Sequence, residues 1–208
     1  MAFYVELKSW QGAIGSVLGF VALFLGALWN ARLNRLRDDR LRQAEVAAVA
    51  AAIYGELILV RVALARLARV HARVDLDRES NVDQDLVDDL RLPDPALYRA
   101  LASKIGMLPA DVVVAVVTFH ANAHDAQAFS AKMIPDDKRG YTYGACHVVQ
   151  PAMDGVRGIE AALRRLEVIA GLPAADTTVD TGDADLVLEI EEDQRAYARA
   201  EAMAKFST

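Results

Sequence analysis

One cysteine, six prolines and an aromatic content of 7% set the first limits on this 208-residue chain. The lone Cys146 excludes an intramolecular disulfide and suits a reducing compartment. Lysine is scarce beside arginine, five against eighteen, and alanine is abundant, a usage typical of GC-rich bacterial genomes. Net charge is −6, and the basic residues gather in one short stretch rather than over a broad surface. Phosphate backbones need a concentrated basic face, so nucleic acid is not an expected partner. Catalytic signatures are missing as well. There is no GxSxG elbow, no HExxH, no phosphate-cradling glycine loop and no dinucleotide fingerprint. The expectation is a non-enzymatic protein with no cofactor.

The most telling absence is of charge between Ser9 and Asn30. Trp10 to Trp29 forms an apolar run whose ends lie about 28 Å apart on a helix, close to the roughly 30 Å hydrocarbon core of a bilayer. The two indoles bracket it as interfacial anchors do. A cleaved signal peptide fits less well, because its apolar region is shorter and ends in small residues. Arg32, Arg35, Arg37, Arg40 and Arg42 follow the run, against Lys8 before it. Basic residues near a span stay cytoplasmic, so the sequence predicts a single-pass protein of a bacterial inner membrane, its N-terminus outside and residues 32–208 in the cytoplasm. The lipid bilayer is thus its first expected partner.

Gly12, Gly15, Gly19, Ala22 and Gly26 recur at spacings of three and four, which places them on one stripe of the span. In lipid, packing rather than apolar burial draws helices together, and small residues let backbones approach. The stripe predicts self-association or docking against a partner membrane protein. Ala44, Ala47, Ala48, Ala51 and Ala52 offer a second smooth surface beyond the membrane.

Four segments follow from the pattern: an anchor at 1–31, a long juxtamembrane helix at 32–74, an acidic connector at 75–94 and a helical bundle at 95–208. From Ala31 to Val74 there is no proline and one glycine. Apolar positions including Ala47, Ala51, Tyr54, Ile58, Val62, Ala65 and Val70 mark one face, with Arg61, Arg66, Arg69 and Arg73 on others. Glu56, amid apolar neighbours, is expected to pair with an arginine such as Arg61 or to be solvated. His71 reads as a surface residue. The connector carries eight acidic residues, and its resemblance to a calcium loop fails at Ser80 and Leu86. Asp94 and Pro95 are suited to open a helix with Leu97, Leu101 and Ile105 inward and Gly106 at its end. Pro109 opens the next helix, which includes the β-prone run Val112 to Val117. A further helix is expected over Tyr141 to Ala170, disturbed at Pro151, with Val156, Ile159, Leu163, Leu166 and Ala170 inward. Gly171 should stop it, and a last helix should span Asp183 to Lys205.

Histidines at 120 and 124 lie one helical turn apart and can share a divalent metal, with Cys146 and His147 as the remaining ligands in reach. The simpler alternative is that both are ordinary helix residues near a loop or interface.

The stretch Tyr98, Leu101, Ile105-Gly106, Leu108-Pro109, Val116-Val117 and Phe119, behind an apolar span and a Glu56-bearing helix, resembles a group of small bacterial single-span membrane proteins. It covers about residues 10–120, and His120 departs from the aromatic often found there. The resemblance implies the architecture and no particular activity. The expected fold is all-α: a membrane helix continuing into a long cytoplasmic helix packed with an irregular bundle. The expected function is that of a scaffold or complex subunit, with a ligand- or metal-binding sensor or effector, for example in stress or phage defence, as the alternative.

Overall fold

The structure, a computed structural model of the chain, describes residues 2–77, 82–134 and 143–206, those at 2–14 and 204–206 by backbone alone. Every regular element among these residues is helical, as expected. They are α1 (Ala2–Leu76), α2 (Gln84–Asp89), α3 (Ala96–Ala100), a 3-10 turn at Ile105–Met107, α4 (Ala110–Lys132), α5 (Cys146–Gly158), α6 (Glu160–Ala170) and α7 (Asp183–Phe206). The chain divides into two units, Met1–Glu45 and Val46–Thr208, and α1 contributes residues to both.

In the first unit the large apolar side chains of α1 face outward. Val17, Phe20, Leu23, Phe24, Leu25 and Trp29 are each more than half exposed. No atom lies within 4 Å of where a Cβ would stand at Gly15, Gly19 or Gly26. Arg32, Arg35 and Arg37 are exposed. By length and composition α1 is a candidate membrane span. Trp10 and Gly12 are among the residues described by backbone alone.

The second unit has a core built on the other part of α1. Ala50, Ile53, Leu57, Val60, Leu64 and Leu67 are buried at alternating spacings of three and four, which keeps them on one face. They join Val112, Val116 and Phe119 of α4, Val149 and Met153 of α5 and Leu163 of α6 in one cluster. This stripe is turned by about one residue from the expected one, and Val62 is left 55% exposed. Both faces are apolar, and the one carrying Ile53, Leu57, Leu64 and Leu67 is buried, each methylene removed from water being worth about 0.8 kcal/mol. The helix α5 approaches closely at Gly155, where a Cβ would meet Leu64 Cδ2 at 3.0 Å and Asn122 Cβ at 3.3 Å.

Several local expectations are corrected. The helix at Pro95 lasts only to Ala100, so a helical face running from Leu97 to Ile105 does not exist, and Leu97 is 46% exposed. Tyr141 lies outside the described residues, and the helical stretch ending at Ala170 is divided in two at Ile159, after Gly158, rather than disturbed at Pro151. Pro151 lies inside α5 without ending it, although proline costs more than glycine in a helix interior, about 3 against about 1 kcal/mol. Of the inward positions, Val156, Ile159, Leu163 and Leu166 are buried and Ala170 is half-buried. Gly171 ends α6 in the left-handed conformation at φ 66°, as a C-terminal glycine does. The described part of the acidic connector, 75–77 and 82–94, is also more ordered than its charge suggests. Asp83 caps α2 by accepting from the Leu86 N–H at 2.8 Å, and Val82, Val87 and Leu90 are buried.

Candidate functional site

Asp94 was placed by sequence to cap α3, yet its carboxylate pairs with Arg99 instead. Pro95 occupies the cap position and offers no side-chain acceptor. The cap comes from α1: the carboxylate of Glu56 accepts from the N–H groups of Leu97 at 2.7 Å and Tyr98 at 2.9 Å. Those are the second and third amides of the helix, the ones a capping side chain normally satisfies. Glu56 is therefore neither solvated nor paired with Arg61. It is buried to 8% exposure and fixes α3 against the long helix.

Between the segment 91–99 and α4 lies a cleft of about 910 Å³. Gln127 of α4 holds one wall in place by accepting from the Leu92 N–H at 2.7 Å. Val60, Leu92, Pro93, Pro95 and Ala123 make its apolar surface, while Arg91, Arg99, His120 and His124 bring its basic groups. The Tyr98 ring lies over the His120 ring with centroids 4.1 Å apart. Phe119 meets the same imidazole edge-on at 5.5 Å. Burial pushes the His120 pKa below its ordinary value, and the nearby Glu56 carboxylate pulls it partly back. Its Nε2 is buried without a hydrogen-bond partner.

His120 and His124 thus share a wall, as their spacing required. Cys146 and His147 do not join them. The His147 ring packs on Phe129 and Tyr143, with centroids 5.5 and 5.4 Å away, more than two turns of α4 beyond His120. Burial pushes the Cys146 thiol up, against the thiolate form that ligates metal. Among the described residues no three His, Cys, Asp or Glu side chains come together in a way that holds a metal ion.

Two buried polar groups were misread from sequence. His71 is 1% exposed rather than on the surface, and its Nε2 is 2.8 Å from Ser130 Oγ on α4. Burial pushes its pKa down to about 4. Arg61 is 5% exposed and donates to the carbonyls of Val156 and Thr177, tying α1 to α5 and to the loop before α7. A third node links α1 to α6. Tyr54 donates to Glu167 at 2.8 Å, and Glu167 also accepts from Arg164 at 3.1 Å. A single helical carboxylate such as Glu167 gives no sequence signal that separates it from solvated neighbours.

Compared with known proteins, the chain matches no family, no curated sequence and no solved structure.

Proposed function

We propose that the protein is a non-enzymatic, membrane-anchored interaction protein that self-associates, or joins a larger membrane complex, through its N-terminal helix. Residues 32–208 lie in the cytoplasm of a bacterial inner membrane, the side favoured by Arg32, Arg35 and Arg37. The observation that carries this reading is the run of outward-facing apolar residues from Val17 to Trp29. In water such a surface would be a large liability, whereas lipid covers it without cost. The small stripe supplies the interface. Gly15 and Gly19 border open space, and Ala44 and Ala48 are exposed, so these smooth surfaces are left for another chain.

The test is assembly size in mild detergent, by cross-linking of full-length protein with and without the pair Gly15→Ile and Gly19→Ile. An isoleucine at either site meets nothing within 4 Å at its Cβ, so the variant should fold and insert as the wild type does. Smaller assemblies in the variant are expected. A monomeric wild type would refute self-association, and undiminished assembly in the variant would refute the small-residue stripe as its interface.

The cleft beside α4 favours a second reading, a sensor whose cytoplasmic bundle binds a ligand and whose assembly responds to it. A scaffold keeps a fixed stoichiometry, whereas a sensor changes it on ligand addition.

A further inference from the structure

We propose that the cleft between residues 91–99 and α4 binds a small amphiphilic anion, a phosphate or carboxylate group joined to a flat or apolar body. The proposal rests on the sensor reading of the bundle and is independent of the anchor. At about 910 Å³ the cleft falls within the roughly 300–1,000 Å³ typical of small-molecule sites. It also has the usual makeup, an apolar surface with a few polar groups that converge on it.

The charge balance sets the sign of the ligand. The acidic residue lining the cleft, Asp94, is held by Arg99. The nearby Glu56 carboxylate is occupied by the Leu97 and Tyr98 amides. Arg91 has no carboxylate partner among the described residues, and the exposed His124 lines the same cleft. A basic wall in a chain of net charge −6 repels a divalent cation and attracts an anion. The guanidinium fork matches a phosphate or carboxylate with two parallel hydrogen bonds.

The rest of the wall sets the body of the ligand. Leu92, Pro93 and Pro95 present apolar surface, and the tilted Tyr98–His120 pair offers aromatic surface for a flat group. The His120 Nε2 in the same wall is a buried polar atom that the protein leaves unmatched.

Phenyl phosphate carries both halves of this chemistry and is the probe. With full-length protein in phosphatidylcholine nanodiscs, calorimetry should give a Kd of about 1 mM or tighter. Inorganic phosphate and phenol, each with one half, should bind at least tenfold more weakly. Arg91→Gln should weaken phenyl phosphate about tenfold, and Arg91→Lys, which keeps the charge but not the fork, should fall between. Arg91 is exposed, so circular dichroism of both variants should match the wild type. Adding phosphatidylglycerol to the nanodiscs separates the sources. A drop in phenyl phosphate affinity there assigns the anion to a lipid headgroup, and unchanged affinity assigns it to a free small molecule. No binding by the wild type in phosphatidylcholine, or equal binding by Arg91→Gln, overturns the proposal. Binding that leaves assembly unchanged supports the site while removing the sensor reading.

Discussion

Glu56 on the long helix caps a helix 41 residues away, accepting from the Leu97 N–H at 2.7 Å and the Tyr98 N–H at 2.9 Å. One side chain thereby does two things: it satisfies amides that Pro95 cannot, and it fixes the segment that forms one side of the cleft. Removing a capping acceptor typically costs about 1–2 kcal/mol. Glu56→Ala should therefore lower the melting temperature of the full-length protein by about 2–8 °C, given about 2–4 °C per kcal/mol for a domain of this size. Glu56→Gln keeps an amide oxygen and should lose about half as much. Thermal melts followed by circular dichroism in mild detergent check both, and an Ala variant as stable as wild type would show that the cap is dispensable.

Arg61 and Glu160 are an ion pair of very unequal members. Arg61 is 5% exposed and Glu160 59%, with 3.8 Å between their charged atoms. The arginine matters for its bonds to the Val156 and Thr177 carbonyls, which no water can replace at that depth. Arg61→Met strands both carbonyls and should cost about 3 kcal/mol or more. Glu160→Gln removes an exposed partner and should cost less than about 0.5 kcal/mol. Urea titrations of the two variants should separate them clearly, and similar losses would mean that the ion pair, not the carbonyl bonds, holds the site.

His71 gives the bundle an acid-sensitive point. Burial lowers its folded-state pKa from 6.5 to about 4, so the unfolded chain takes up a proton at a higher pH than the folded one. The stability is fully present above pH 6.5 and is lost as pH falls from there toward 4. Integrated over that window, the loss is about 3 kcal/mol. The double variant His71→Leu with Ser130→Ala removes both partners of the bond and should flatten the pH dependence by that amount. Unfolding at pH 7 and pH 4 measures it. An equal pH dependence in variant and wild type would place the acid sensitivity elsewhere.

Much of this architecture was legible because the sequence marks it with strong physical signals. A run without charge from Ser9 to Asn30 and glycine at position 171 each have few alternative explanations. The α1 face was harder, since alanine and valine populate every side of residues 44 to 53 and the decision falls to the volumes of Ile53, Leu57 and Leu64, which count only once partners are placed. Buried polar residues were the least legible. Glu56, Arg61 and His71 all find partners 41 or more residues away, and no local pattern reports such pairings. For the cleft, the four-residue spacing of His120 and His124 placed them on one wall, but not beside Arg91 and Tyr98.

The central claim is that the exposed apolar run of α1 sits in lipid, and alkaline carbonate extraction of membranes from cells making the full-length chain tests it most directly. Peripheral proteins are released at high pH, whereas a helix crossing the hydrocarbon core is not, because its backbone and apolar side chains have no comparable environment in water. The account predicts that essentially all of the protein stays in the membrane pellet. Release into the supernatant would contradict it, and would mean that Val17 to Trp29 is covered by protein rather than by lipid.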